Sequence, residues 1–262
     1  MKGLSTEEKD MIVPQGTVLL GYRGSIAHGM YIPSSDPDSI DDKDIMGVCI
    51  PPLNNYLGFA HFEQKEKQYK EWDSVVYEIR KYFRLLLKSN PNVMSLLWLP
   101  RELYIKRTPI GNQLVENRDL FVSKQAYHSF NGYAYGQFKR MTHFKFEGYM
   151  GVKRKQLVEK FGYDTKNAAH LIRLLRMGIE FLTEGRLYVH RKDGEQLLSI
   201  KRGEWSLDLV KDEAAHLFRL AEEAYVASKL PSEPDRKEAE RLLMSIIMEH
   251  FHIKQRRFTD RG

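Results

Sequence analysis

A stretch of 30 residues near the N-terminus leaves this chain few folds to choose from. In LLGYRGSIAHGMYIPSSDPDSIDDKDIMGV, residues 19–48, an apolar run stops at Gly24-Ser25 and a Ser/Asp/Pro-rich loop follows. Asp42-Lys43-Asp44 then opens directly into a second apolar run. The β-branched and apolar residues of GTVLLGY (16–22) predict a short strand. IMGVCI (45–50) predicts a second, buried one, ended by Pro51-Pro52. Between them, residues 24–32 predict a tight corner opening a short helix, and residues 33–42 predict a loop.

The two strand ends carry complementary chemistry. Strand side chains repeat every two residues, so Asp42 and Asp44 at a strand edge project the same way. Like charges held together are costly unless a cation neutralises them. Oxygen ligands on a rigid edge suit Mg²⁺, with Mn²⁺ as a substitute; Mg²⁺ takes a few carboxylates and fills its shell with water and phosphate oxygens. A Gly-Ser turn leading into a helix offers backbone N–H groups and a hydroxyl to a phosphate. Gly24 and Ser25 are therefore candidate phosphate contacts, and the two elements together describe a site for a metal-bound triphosphate. Asp36-Pro37-Asp38 is a rival acidic pair. Pro37 lacks a backbone donor and resists a central strand, whereas Asp42-Lys43-Asp44 runs straight into IMGVCI, so 36–41 is expected to be an inserted loop.

Downstream, FEQKEKQYKEWDSVVYEI (62–79) alternates at its end and predicts a hairpin or third strand running into a helix with Ile79, Phe83, Leu86 and Leu87 at helical spacing. Asn90-Pro91 stops that helix. Past about residue 105, long amphipathic patterns dominate: 123–145, 152–162, 165–185, 206–229 and 233–252. GRLYVHRKDGEQLLSIKRGE is expected to be a hairpin excursion near 185–204. The expected fold is α+β: a mixed sheet with helices over 1–110, followed by a mainly α-helical domain over 111–262. A single cysteine, Cys49, excludes an intrachain disulfide framework or thiolate zinc site. No apolar run reaches the length of a membrane span, and the N-terminus is too polar for a signal peptide, so a cytoplasmic setting is expected. The formal net charge of +6 is compatible with a polyanionic partner without singling one out.

At this point the chain resembles a known superfamily. Gly24-Ser25 followed by Asp42-x-Asp44 is similar to the signature of the DNA polymerase β-type nucleotidyltransferases. More closely, GYRGSIAHGM, DKDIMGVCIPP and DSVVYEIRKYFRLLLKSNPNVMSLLW resemble a bacterial and phage group of predicted nucleotidyltransferases. GYDTKNAAHLIRLLRMGIEFLTEGRLYV resembles the helical half of that group, so the likeness spans roughly residues 17–205. The resemblance implies transfer of a nucleoside monophosphate from an NTP such as ATP to a hydroxyl acceptor, with release of pyrophosphate. It also implies a third carboxylate on a neighbouring strand, for which Asp73 is the first candidate and Glu78 the second. Lys166, His170 and Arg173 fall on one face of a helix from Thr165. That face is either a solvated basic surface or, as the resemblance favours, one that closes over the nucleotide, with Lys166 and Arg173 meeting phosphates. Arg23 has two candidate partners, a phosphate and the acidic loop.

Tyr127, Tyr133, Tyr135 and Phe138 interleave with Lys139, Arg140, His143 and Lys145, a pattern that serves either a helix core with a solvated edge or an RNA strand. The acceptor stays open at this level: an RNA 3′ end such as that of tRNA, a small molecule or a protein side chain. Two other functional classes stay open with it. One is an antitoxin-like or regulatory nucleotidyltransferase modifying a protein; the other is an RNA-binding module with a vestigial site.

Overall fold

The computed structural model describes residues 4–37, 39, 41–142 and 152–253. A five-stranded mixed sheet, in the order β3-β4-β2-β1-β5, forms its N-terminal half. A short helix α1 (Thr6–Ile12), closed at Ser5 by a capping box with Glu8, precedes β1 (Thr17–Tyr22). The predicted corner is α2 (Gly24–Ala27), and β2 (Lys43–Cys49) begins two residues earlier than the apolar run. After the one-turn α3 (Asn54–Leu57), β3 (Gln64–Tyr69) and β4 (Trp72–Glu78) make the predicted hairpin, and β4 runs directly into α4 (Ile79–Leu86). Asn90 caps α5 (Pro91–Ser95), accepting from the backbone N–H groups of Asn92 and Val93. β5 (Tyr104–Arg107), too short and polar to be legible in the sequence, closes the other edge, and α6 (Pro109–Glu116) follows.

β1 pairs antiparallel with β2 and β5, and β3 antiparallel with β4, while β2 and β4 are parallel. The parallel register sets Asp44 opposite Asp73. Side-chain alternation splits the sheet into two faces. Ile45, Cys49, Trp72 and Val76 pack with Ile12 of α1 into a small core on one side. Met46, Val48 and Val75 join the main core on the other, where the helical half of the chain lies. Asp44 and Asp73 share the parity of Met46 and Val75, so both project from the helix-covered face.

The helical half comprises α7 (Ala126–Thr142), α8 (Val152–Phe161), α9 (Thr165–Glu184), α10 (Gly194–Lys201), α11 (Leu207–Ala227) and α12 (Arg236–His250). α9 starts at Asp164, whose carboxylate accepts from Asn167 N at 3.0 Å, and ends at left-handed Gly185. Leu171, Ile172, Leu174 and Leu175 are all buried, so this helix is apolar over most of its circumference and sits between neighbours rather than on the surface. Gly178 lets α7 approach closely, since a Cβ there would stand 3.0 Å from that of Phe130. A core that includes Leu19, Phe83, Phe130, Phe181 and Ile246 runs continuously through both halves. Among the described residues no helix is long and apolar enough to cross a membrane.

The hairpin expected near 185–204 is not formed. Leu187 and Val189 do alternate inward and are buried, which is the signal the sequence carried. No strand pairs with them, and Leu197 and Ile200, three residues apart, instead bury one face of α10. His143 and Lys145 of the aromatic–basic stripe, and Asp38 of the rival acidic pair, lie outside the described residues.

Candidate active site

The acidic centre is built where β2 and β4 run side by side. The guanidinium of Arg23 bridges the two carboxylates, with Nη2 3.5 Å from Asp44 and 3.2 Å from Asp73. The Arg23 backbone N–H also donates to Asp44 O at 2.9 Å, which fixes the start of the corner against β2. Gly24 then turns with φ +61°, and a Cβ on it would collide with Asp44 Oδ2. Glycine is required here twice over, by the left-handed backbone and by the closeness of the carboxylate. Asp42 precedes β2 and is exposed, although its charge reaches Asp44. Among the described residues no three acidic, histidine or cysteine side chains converge as a ready cation site.

Of the two candidates for the neighbouring carboxylate, Asp73 faces Asp44 across the ladder. Glu78 pairs in register with Cys49, five residues along β4, and its carboxylate is buried. It accepts from Tyr56 Oη at 3.1 Å and Arg80 Nε at 3.0 Å, and it caps α4 through Lys81 N. Those bonds occupy Glu78 as the cap of α4, five residues along β4 from the position opposite Asp44.

Facing this centre across a cavity of about 200 Å³ is the C-terminal half. Arg23, Gly24, His28 and Asp44 of the N-terminal half and His170 and Arg173 of α9 all line the cavity. Arg173 is only 6% exposed, so the basic residues of α9 are not a solvated face. Its Nη1 donates to His28 Nε2 at 2.6 Å, while Nε is buried without a hydrogen-bond partner. Arginine can only donate, so His28 Nε2 is the acceptor and Nδ1–H must donate to Val189 O, 2.8 Å away. Burial, then the charge of Arg173, holds both His28 and His170 well below the ordinary histidine range. Both imidazoles are neutral, and Arg173 carries no carboxylate partner among the described residues.

Charge in this cavity is incompletely matched. Burial pushes Asp44 up to about 6 in spite of Arg23, with Asp73 adding to the rise. Burial, then Arg191, pulls Arg173 down to about 9. A buried acid and a buried base each resist their charge while lining one cavity.

Behind the acidic centre lies an ion cluster absent from the sequence reading. The Asp41 side chain, 1% exposed, is gripped by Lys201 of α10, and Lys166 Nζ stands 3.6 Å from its other oxygen. Lys201 also donates to Met30 O at 3.1 Å, and Asp41 accepts from Ile32 N at 2.9 Å. α10 thereby holds both ends of the loop between the corner and β2. Burial takes Lys201 down to about 8 even with Asp41 opposing the shift. The inserted loop was legible, but the burial of its Asp41 was not. The available signal was a lysine at 201 beside Ile200 on the apolar side of a helix.

A model of the family described as "RlaP: RNA repair pathway DNA polymerase beta family" matches residues 5–245. No curated protein matches the chain. Among solved structures, a nucleotidyltransferase-like protein from Exiguobacterium sibiricum 255-15 matches at 10% identity and a TM-score of 0.31, over 95% of this chain and 78% of that one.

Proposed function

The chain belongs to the RNA repair pathway DNA polymerase beta family, and on that premise we propose that it is a Mg²⁺-dependent nucleotidyltransferase that moves a nucleoside monophosphate from an NTP to an RNA hydroxyl, with an RNA 3′ end as the acceptor. The observation that carries this reading is the mismatched charge of the cavity. Burial raises Asp44 in spite of Arg23 and lowers Arg173, which has no carboxylate partner among the described residues. A metal-bound triphosphate supplies both at once. The RNA acceptor rests on the family's description.

The residues present fit a hard divalent cation. Asp44 and Asp73 already share one cationic group, the Arg23 guanidinium, and exposed Asp42 stands close enough for its charge to reach Asp44. Asp44 and Asp73 would hold Mg²⁺, with Asp42 completing the set. The bound ion supplies neutralisation of phosphate charge and a lowered pKa for a coordinated hydroxyl.

This chain's own groups do the positioning. The acceptor oxygen forms a bond to the α-phosphorus as the bond to the bridging oxygen breaks and pyrophosphate leaves. Asp73 takes the hydroxyl proton. The Gly24–Ser25 corner, Lys166 and the buried charge of Arg173 hold the triphosphate, with neutral His170 beside it. With a cation held by Asp44 and Asp73, the Arg23 guanidinium would be free to turn to phosphate. Catalysis is then positioning and charge stabilisation in a partly enclosed site.

Arg23→Gln tests the exchange between arginine and metal. Removing the guanidinium from Asp44 and Asp73 is expected to tighten Mn²⁺ binding several-fold in the absence of nucleotide, as read by the free-Mn²⁺ electron paramagnetic resonance signal. Unchanged Mn²⁺ affinity would place the cation elsewhere.

The reaction itself is tested by incubating the protein with each α-labelled NTP, Mg²⁺ and a mixed RNA pool. Label entering RNA is the expected result, and the reactive NTP names the base. Label on protein instead would favour a protein-modifying nucleotidyltransferase. No label anywhere, together with no Mg²⁺–NTP shift in melting temperature, would make the site vestigial.

A further inference from the structure

The lining of the cavity also carries different chemistry. Met46 and Leu174 give it apolar surface, and Tyr133 of α7, 39% exposed, stands at its rim. Asn90 Nδ2 donates to Tyr133 Oη at 2.7 Å and holds the ring in place. A volume of about 200 Å³ lies below the roughly 300–1,000 Å³ of a pocket for a whole drug-sized ligand, so this space takes one moiety.

Most polar groups on the lining are already engaged. Ser95 Oγ donates to Pro91 O at 2.8 Å, and both ring nitrogens of His28 are used. Among the described residues, two buried polar atoms on the lining have no hydrogen-bond partner, Arg173 Nε and Gln137 Oε1. The arginine carries charge and belongs to the phosphates in the reading above. Gln137 Oε1 is a neutral acceptor, and a buried acceptor left unsatisfied is costly unless a ligand fills it. Apolar surface, a fixed aromatic ring and one amide oxygen open to a donor suit a planar heterocycle that bears an N–H.

We propose that Met46, Leu174, Tyr133 and Gln137 form the base subsite of the nucleotide, and that Gln137 Oε1 accepts from an exocyclic amino group, selecting aminated bases over uracil. Uracil presents a carbonyl where cytosine presents its amino group, so two acceptors face each other and the amide oxygen stays unsatisfied. Tyr133 lies against the ring. Gln137 sets which nucleotide is held and takes no part in the phosphoryl step. The inference rests on the nucleotidyltransferase reading and adds its specificity.

Calorimetric titration of the full chain in Mg²⁺ tests it with two matched pairs, CTP against UTP and ATP against purine riboside triphosphate, which lacks the 6-amino group. The aminated member of each pair is expected to bind about tenfold more tightly. Gln137→Leu is expected to bind both members of a pair alike, whereas Gln137→Glu, which keeps an acceptor oxygen, retains the preference. Lack of preference in the unmutated protein, or a preference that persists in Gln137→Leu, overturns the base subsite and leaves the nucleotidyltransferase reading intact. If none of the four triphosphates binds, the nucleotidyltransferase reading itself fails, and the base subsite with it.

Discussion

Asp44→Asn is expected to lower nucleotidyl transfer by about 10³-fold or more while leaving the fold at least as stable at pH 7. Asparagine matches the shape of aspartate but cannot offer a charged ligand to a cation or share the charge of Arg23 with Asp73. The stability half of this prediction follows from burial. The folded protein holds Asp44 at about 6, raised from 3.8. A carboxyl raised on folding keeps its proton more tightly in the native state, so its ionisation opposes folding. That cost appears as pH climbs from about 4 to about 6 and is fully present at pH 7. Two units correspond to about 2–3 kcal/mol, so the neutral side chain should raise the melting temperature by several degrees. The same titration predicts that Mg²⁺–NTP affinity falls as pH drops through about 6, because protonated Asp44 no longer binds a cation. Parallel assays of transfer and thermal melting check both halves. Retained transfer removes Asp44 from the active site, and a large drop in melting temperature would make its role structural.

Asp41→Ala should do the opposite: a strong loss of stability with a secondary loss of activity. The substitution leaves Lys201 buried with only Met30 O for a partner, and strips Ile32 N of its acceptor. Breaking one side of a buried ion pair costs about 3–5 kcal/mol, because the surviving charge is left uncompensated. Lys201 already sits at about 8 with Asp41 present, so without it the ammonium is expected to shed its proton near neutral pH. The defect should therefore be smallest in alkaline buffer, where Lys201 is neutral in either case. Chemical denaturation of Asp41→Ala, Lys201→Met and the double variant at pH 7 and 9 measures this. The double variant should recover much of the loss, since apolar groups can replace a buried ion pair without leaving a lone charge. Additive losses would show that the two side chains do not act as a pair.

The strands flanking the corner, the corner itself, the hairpin at 64–78 and the long helices were legible because each is written in local periodicity. GTVLLGY and IMGVCI are apolar runs with turn residues at their ends, and α9 carries its cap, its apolar residues and its closing glycine in one stretch. Local patterns failed where an element depends on its partner. YIKR is a strand only because β1 offers an open edge, whereas the Leu187–Val189 alternation meets no strand partner among the described residues. Asp73 ranked ahead of Glu78 by its place at the start of the apolar stretch, and the register of β2 against β4 sets Asp73 opposite Asp44 and Glu78 opposite Cys49.

The sequence by itself determined which residue types stand at the corner: a glycine that can turn left-handed, an arginine beside it, and acids leading into a buried strand. Those are properties of a few neighbouring residues, fixed by backbone sterics and side-chain periodicity. The tertiary structure alone decided which charges meet. Arg23 reaches Asp73 from 50 residues away, His28 meets Arg173 across 145, and Lys201 grips Asp41 across 160. No local pattern encodes such pairings. The first follows from the parallel pairing of β2 with β4, the other two from packing α9 and α10 and the segment between them against the corner and its loop.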